Sequence, residues 1–171
     1  MVDRVLIDTL NFKAGDFASK WKELIRKTPH LRHYQELDDD TLVAMGRAYY
    51  PLLARSLDRG LDKKLVGDFF VAIGKDRVHN GFPASEVIYG LNLIQKVVLE
   101  YLMTDFVLDS TIRMYQAMGV VTQISEFFLV GSFYFIKGFL EETYLHMNNK
   151  EKVSEELLKK YFKDDFFFKK E

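Results

Sequence analysis

The chain contains no cysteine. That excludes a disulfide framework, thiolate-bound zinc, iron–sulfur clusters and thiol catalysis, and it fits a reducing, cytoplasmic setting. Proline is scarce, with three in 171 residues, so few positions interrupt a helix. Neither sign of charge dominates: 24 basic residues stand against 25 acidic ones, a formal net charge of −1. Lys and Glu are interspersed, where a nucleic-acid binder would gather its cations on one face. No stretch alternates polar and apolar residues over a useful strand length. The patterns G-x-S-x-G, H-E-x-x-H, G-x-x-x-x-G-K-[ST] and G-x-G-x-x-G do not occur. A non-enzymatic chain is expected. The opening Met1-Val2-Asp3-Arg4-Val5-Leu6-Ile7-Asp8 has an acid inside its short apolar run, unlike a signal peptide.

Aromatic residues are plentiful: 15 Phe and 9 Tyr beside one Trp. They imply a large aromatic core, or a core with an apolar pocket. The pattern predicts an all-α bundle of about six helices with no sheet. It is expected as a single domain over 1–171, with a core from about 15 to 147 and a terminal helix and tail over 150–171. Phe17, Trp21, Leu24 and Ile25 make one helix face, with Asp16 as candidate N-cap and Pro29 beyond its end. A second helix is expected from Asp38 to Gly60, bent at Pro51. A third runs from Asp62 to His79, with Leu65, Phe69, Phe70 and Ile73 inward. The fourth starts after Pro83, with Val87, Leu91, Ile94, Val98 and Leu102 as its stripe.

The segment 110–147 reads as one helix, or as two broken near Gly119, and ends at Asn148-Asn149. Its window Ala117–Ile136 is long enough for a membrane span. Gln123 and Glu126 favour a buried helix, so no span is expected. From Phe127 to Ile136 it is apolar all round, which predicts burial on every side. Gly131 and Gly138, seven apart, would admit a second helix closely. Leu91, Val98, Gly131, Phe135 and Gly138 are therefore candidate dimer-interface positions. The last helix carries Val153, Leu157, Leu158 and Tyr161 on one side, and Phe166-Phe167-Phe168 form an apolar tail that docks on the body or on a partner.

Candidate sites are few. His30, His33 and Glu36 have spacing that could seed a metal site, although they sit in an expected loop. Asp38–Asp40 reads as a solvated helix start. Tyr49, Phe69, Phe70, Tyr89 and Phe128 could line an apolar pocket, and Arg77 could meet an anionic headgroup. His79, at a helix end in a Phe-rich chain, could ligate a haem or cap the helix C-terminus.

The stretch Arg77-Val78-His79-Asn80-Gly81-Phe82-Pro83, followed by Ser85-Glu86-Val87-Ile88-Tyr89, resembles the N-terminal domains of RsbRD-type stressosome proteins and related sensor modules of bacterial histidine kinases. Their recurrent R-x-x-x-G-[FL]-P stretch is similar to the globin sensors' H-x-x-x-G-[IL]-P, in which the histidine binds haem. Four residues before Gly81 stands Arg77, not a histidine. The resemblance implies a haem-free, globin-like, homodimeric sensor standing alone. Its implied partners are a sensor kinase or stressosome protein, and its implied guest a fatty-acid-like ligand. The alternative is a haem- or gas-binding globin using His79.

Overall fold

A computed structural model describes residues 4–105 and 111–151. Every regular element among them is a helix: α1 Arg4–Phe12, α2 Ala14–Arg26, α3 Arg32–Gln35, α4 Asp39–Arg47, α5 Tyr49–Arg59, α6 Lys63–His79, α7 Ala84–Asp105 and α8 Thr111–Glu151. The all-α class expected from the pattern holds. Contacts divide the chain into two compact units, Met1–Asp62 with Ile88–Phe128, and Lys63–Val87 with Leu129–Glu171.

The first unit grows from α1, which buries Leu6, Ile7 and Leu10. The backbone bonds Lys13 N to Thr9 O and Phe17 N to Lys13 O carry the chain almost unbroken into α2. Asp16, expected as the N-cap, therefore lies in the first turn, and Lys13 holds the cap position with no side-chain bond. α2 buries Phe17, Trp21 and Ile25, and its neighbour is α4. There Gly46 leaves room for the indole, since a Cβ on it would stand 2.7 Å from Trp21.

Asp38 caps α4 by accepting from the Thr41 amide at 2.8 Å. The helix expected to bend at Pro51 instead breaks earlier, at Ala48. Pro51 then falls in the first turn of α5, where its missing N–H costs nothing. Gly60 ends α5 at φ 86, a backbone state open mainly to glycine. Gln95 Nε2 donates to Ser125 Oγ at 3.3 Å, tying α7 to α8. The connection over 105–111 spans at most about 22 Å. Parallel helices in this register would need a longer link, so the pair runs antiparallel.

The second unit pairs α6 with the later part of α8. A Cβ on Gly138 would stand 2.8 Å from Val71 Cα, and one on Gly74 would stand 2.7 Å from Phe139 N. These glycines let two backbones meet almost directly. α6 buries Val66, Gly67, Phe70, Val71, Gly74 and Arg77. Of the residues expected inward only Phe70 is buried; Leu65, Phe69 and Ile73 are half-buried. The bulky side chains step aside because the glycines hold the contact face.

α8 is a single helix, unbroken at Gly119 and continuing past Asn148-Asn149. The expected terminal helix and tail lie beyond Glu151, outside the described residues. The expectation that 127–136 is buried on every side fails. Leu129 is 73% exposed and Phe133 57%. One side of this apolar segment has no covering among the described residues.

Candidate functional site

The motif Arg77 to Pro83 is built as a helix stop. Phe82 N donates to Arg77 O at 2.9 Å and Gly81 N donates to Val78 O at 3.0 Å. Gly81 has φ 73. This is the paired-bond C-terminal cap that favours glycine after a helix, with an apolar contact closing it. Here the contact is Phe82 beneath the Arg77 guanidinium, 5.5 Å from its ring centroid. Pro83 O then accepts from Glu86 N and Val87 N, opening α7. The residues that carry the sequence resemblance thus have a local task in turning the chain.

Around that stop, two basic side chains of α6 meet two glutamates of α8. Lys75 Nζ lies 3.1 Å from Glu141 Oε1, and His79 Nε2 lies 2.9 Å from Glu142 Oε1. Both glutamates are largely shielded. Arg77 is buried and pairs with the exposed Asp76. Its Nε is enclosed without a hydrogen-bond partner, as is Glu141 Oε2. A buried unpaired polar atom costs roughly 1–3 kcal/mol. The His79 side chain is 61% exposed and its Nε2 is engaged by Glu142.

In the first unit the aromatic core is centred on Phe17, whose ring lies 5.2 Å from both Tyr50 and Tyr101. Tyr50 is fully buried and its hydroxyl has no partner. Burial raises the ionisation of that phenol far above its ordinary range, with the Tyr49 charge adding to the effect. Nearby, Trp21 Nε1 donates to Gly90 O at 2.9 Å, fixing α2 on α7. His30 stacks edge-on against Tyr89 with ring centroids 5.0 Å apart.

The outward face of the same unit carries large apolar side chains. Met103 on α7 is 71% exposed, and Tyr115 and Met118 on α8 are 72% and 66% exposed. An open cleft of about 410 Å³ runs along α7, lined by Asn92, Gln95, Lys96, Leu99, Glu100, Met103 and Thr104. The Gln95–Ser125 bond sets the register and brings Met103 about level with Met118. A second cleft, about 270 Å³, is polar and lies between α1 and α5, lined by Arg4, Asp8, Arg55, Asp58 and others.

The expected pocket residues do not line either cleft. Tyr49 and Phe128 are buried in the first unit, and Tyr89 is exposed there. Phe70 is buried in the second unit beneath Gly131, with Phe69 edge-on to it. The expected interface residues also point inward. Leu91, Val98 and Phe135 are buried, and Gly131 and Gly138 meet Phe70 and Val71 of the same chain. The close approach allowed by the glycines is made by α6, not by a second copy. The outward residues of these helices, absent from the expected interface, are Met103, Tyr115, Met118, Leu129 and Phe133. A signal for them lies in the three- and four-residue spacing of 115, 118, 122, 126, 129 and 133 along one helix side.

Among the described residues no three His, Asp or Glu side chains gather as a metal site, and His30, His33 and Glu36 do not form one. Tyr115–Asn148 is long and apolar enough to cross a membrane by length and composition, with 33% of its apolar window buried. Compared with known proteins, the chain matches no family model, no curated protein and no solved structure.

Proposed function

We propose that this chain is a non-enzymatic signalling module that works by docking, first on a second copy of itself and then on a partner such as a sensor kinase or stressosome component. The observation that carries the reading is the set of exposed apolar side chains on α7 and α8: Met103, which lines the cleft beside Leu99, with Tyr115 and Met118 on α8. Contiguous exposed apolar surface of this kind marks interaction sites on soluble proteins. A protein-facing role suits it better than a lipid-facing one. Gln116, Gln123 and Glu126 lie on the same helix with their side chains at least partly open to water. A carboxylate near the centre of a span costs about 2.5–3.5 kcal/mol.

The globin-like, haem-free character belongs to this proposal too, supported by the sequence resemblance and by Arg77 where a haem ligand would stand. A fatty-acid-like guest belongs to the proposal as well, supported by the sequence resemblance. Native mass spectrometry of the purified protein tests both parts. The expected spectrum shows a dimer carrying a releasable small apolar molecule. A monomer at micromolar concentration removes the docking reading, and a haem Soret band removes the haem-free one.

A further inference from the structure

The residues that line the larger cleft all belong to α7. Asn92, Lys96, Leu99 and Met103 recur at spacings of three and four, so they share one stripe, with Glu100 and Thr104 along its edge. Leu99 is half-buried and the others are exposed. Lys96 Nζ lies 3.6 Å from Glu100 Oε1 of the same chain. Both side chains are more than half exposed, and base before acid is the weaker order for such a pair on a helix. The Thr104 hydroxyl donates to Glu100 O at 2.9 Å, which leaves its oxygen able to accept.

Taken in reverse, this stripe is its own complement. When two copies of α7 run antiparallel about a two-fold axis at residue 98, Lys96 of each falls level with Glu100 of the other, and Asn92 falls level with Thr104. The Asn92 amide then donates to the Thr104 oxygen. The two Leu99 side chains stand about 3 Å apart along the helix direction, beside the axis. Met103 falls between Asn92 and Lys96 of the opposite copy. The side chains that border the cleft of about 410 Å³ on one copy therefore enter it on the other. A parallel pair sets Lys96 beside Lys96 and Glu100 beside Glu100, which repel.

We infer that the partner at this face is a second copy of the chain in one register: α7 against α7, antiparallel, with reciprocal Lys96–Glu100 ion pairs across the axis. The inference rests on the proposed docking of two copies and adds its axis and its pairing.

Sedimentation of Lys96→Glu, Glu100→Lys and the double exchange tests the pairing. Each single variant sets like charges across the axis and should raise the dimer dissociation constant about tenfold or more. The double exchange restores opposite charges and should return the constant to within about threefold of the parent. A dimer that ignores all three changes, or an exchange as weak as the single variants, overturns the register while the docking stands. A parent that stays monomeric at micromolar concentration overturns both. The lack of cysteine gives a second measurement that leaves the charges alone. Asn92 and Thr104 are exposed, so a cysteine at either leaves the core intact. In the antiparallel pair each lies about 18 Å along the helix from its own counterpart. Mild oxidation of mixed Asn92→Cys and Thr104→Cys chains should give a covalent dimer of mixed mass about tenfold faster than either variant alone. Self-linking of Asn92→Cys alone at the rate of the mixture overturns the antiparallel register.

Discussion

Two glycines of this chain predict opposite responses to one added methyl. Gly81 stands at φ 73 in the stop after α6, where an L side chain meets the following carbonyl. Gly81→Ala should cost roughly 1–2 kcal/mol. Gly119 sits inside α8 with nothing within 4 Å of the point a methyl would occupy, so no clash opposes the change. Gly119→Ala should stabilise by about 0.5–1 kcal/mol through helix propensity. Urea denaturation of the two variants beside the parent measures both signs.

A carboxylate pair on α4 sets a pH dependence. Hydrogen bonds from Arg26 and Lys22 hold the Asp39 carboxyl below its ordinary value, and Thr41 does the same for Asp38, chiefly through its backbone amide. A group whose folded value is depressed stabilises the fold above its unfolded value, and that contribution is lost as pH falls through the folded one. The Arg26 guanidinium also donates to the carbonyls of Tyr34, Gln35 and Leu37, so it links α2, α3 and the start of α4. Thermal melting should weaken below about pH 4, the usual carboxylate range. Asp39→Asn should flatten part of that acid limb relative to the parent. Parallel acid limbs for the two proteins would show that the Arg26–Asp39 bridge does not contribute.

At the scale of elements, the contact of α6 with α8 depends on having no side chain. Gly138→Ala would place a methyl 2.8 Å from Val71 Cα, against backbone that cannot swing away. Overpacking of this kind costs roughly 1–3 kcal/mol, more than the helix propensity that alanine returns. The expected result is a lower denaturation midpoint, in contrast to Gly119→Ala on the same helix. An unchanged midpoint would mean that the two helices can part at no cost.

The same contact explains what is legible in the sequence and what is hidden there. The α7 stripe Val87, Leu91, Ile94, Val98 and Leu102 is buried as its periodicity implies, because one apolar side among polar neighbours has only one way to face. Asp38 and Gly60 are readable as a cap and a stop for the same reason: each chemistry fits one backbone state. Hydrophobicity alone misleads for α6 and α8, where nearly every position of the contact region is apolar. There the small residues choose the inner face and leave Leu129 and Phe133 outside. Spacing of apolar residues cannot show that choice; spacing of glycines partly can. The break at Ala48 is hidden as well, since nothing local to Ala48 marks a helix end while Pro51, three residues later, carries the stronger local signal.

For the whole molecule, the proposed docking sets the inward positions of α7 and α8 against the outward ones. Leu91 and Met103 lie on one helix, yet the first is buried and the second exposed. A charge at Leu91 must be buried without a partner, so Leu91→Asp should unfold the protein or cost more than about 4 kcal/mol. Met103→Asp with Met118→Asp places charges where water already reaches, and the fold should persist with little change in melting temperature. If that face joins two copies, sedimentation should move the parent from twice its 20.0 kDa chain mass to one chain in the double variant. A charge buried at an interface without a counter-charge is costly for the same reason as in a core. A double variant that remains a folded dimer would move the interface elsewhere. A folded, monomeric Leu91→Asp protein would contradict the burial of Leu91 and return the contact to the inward positions.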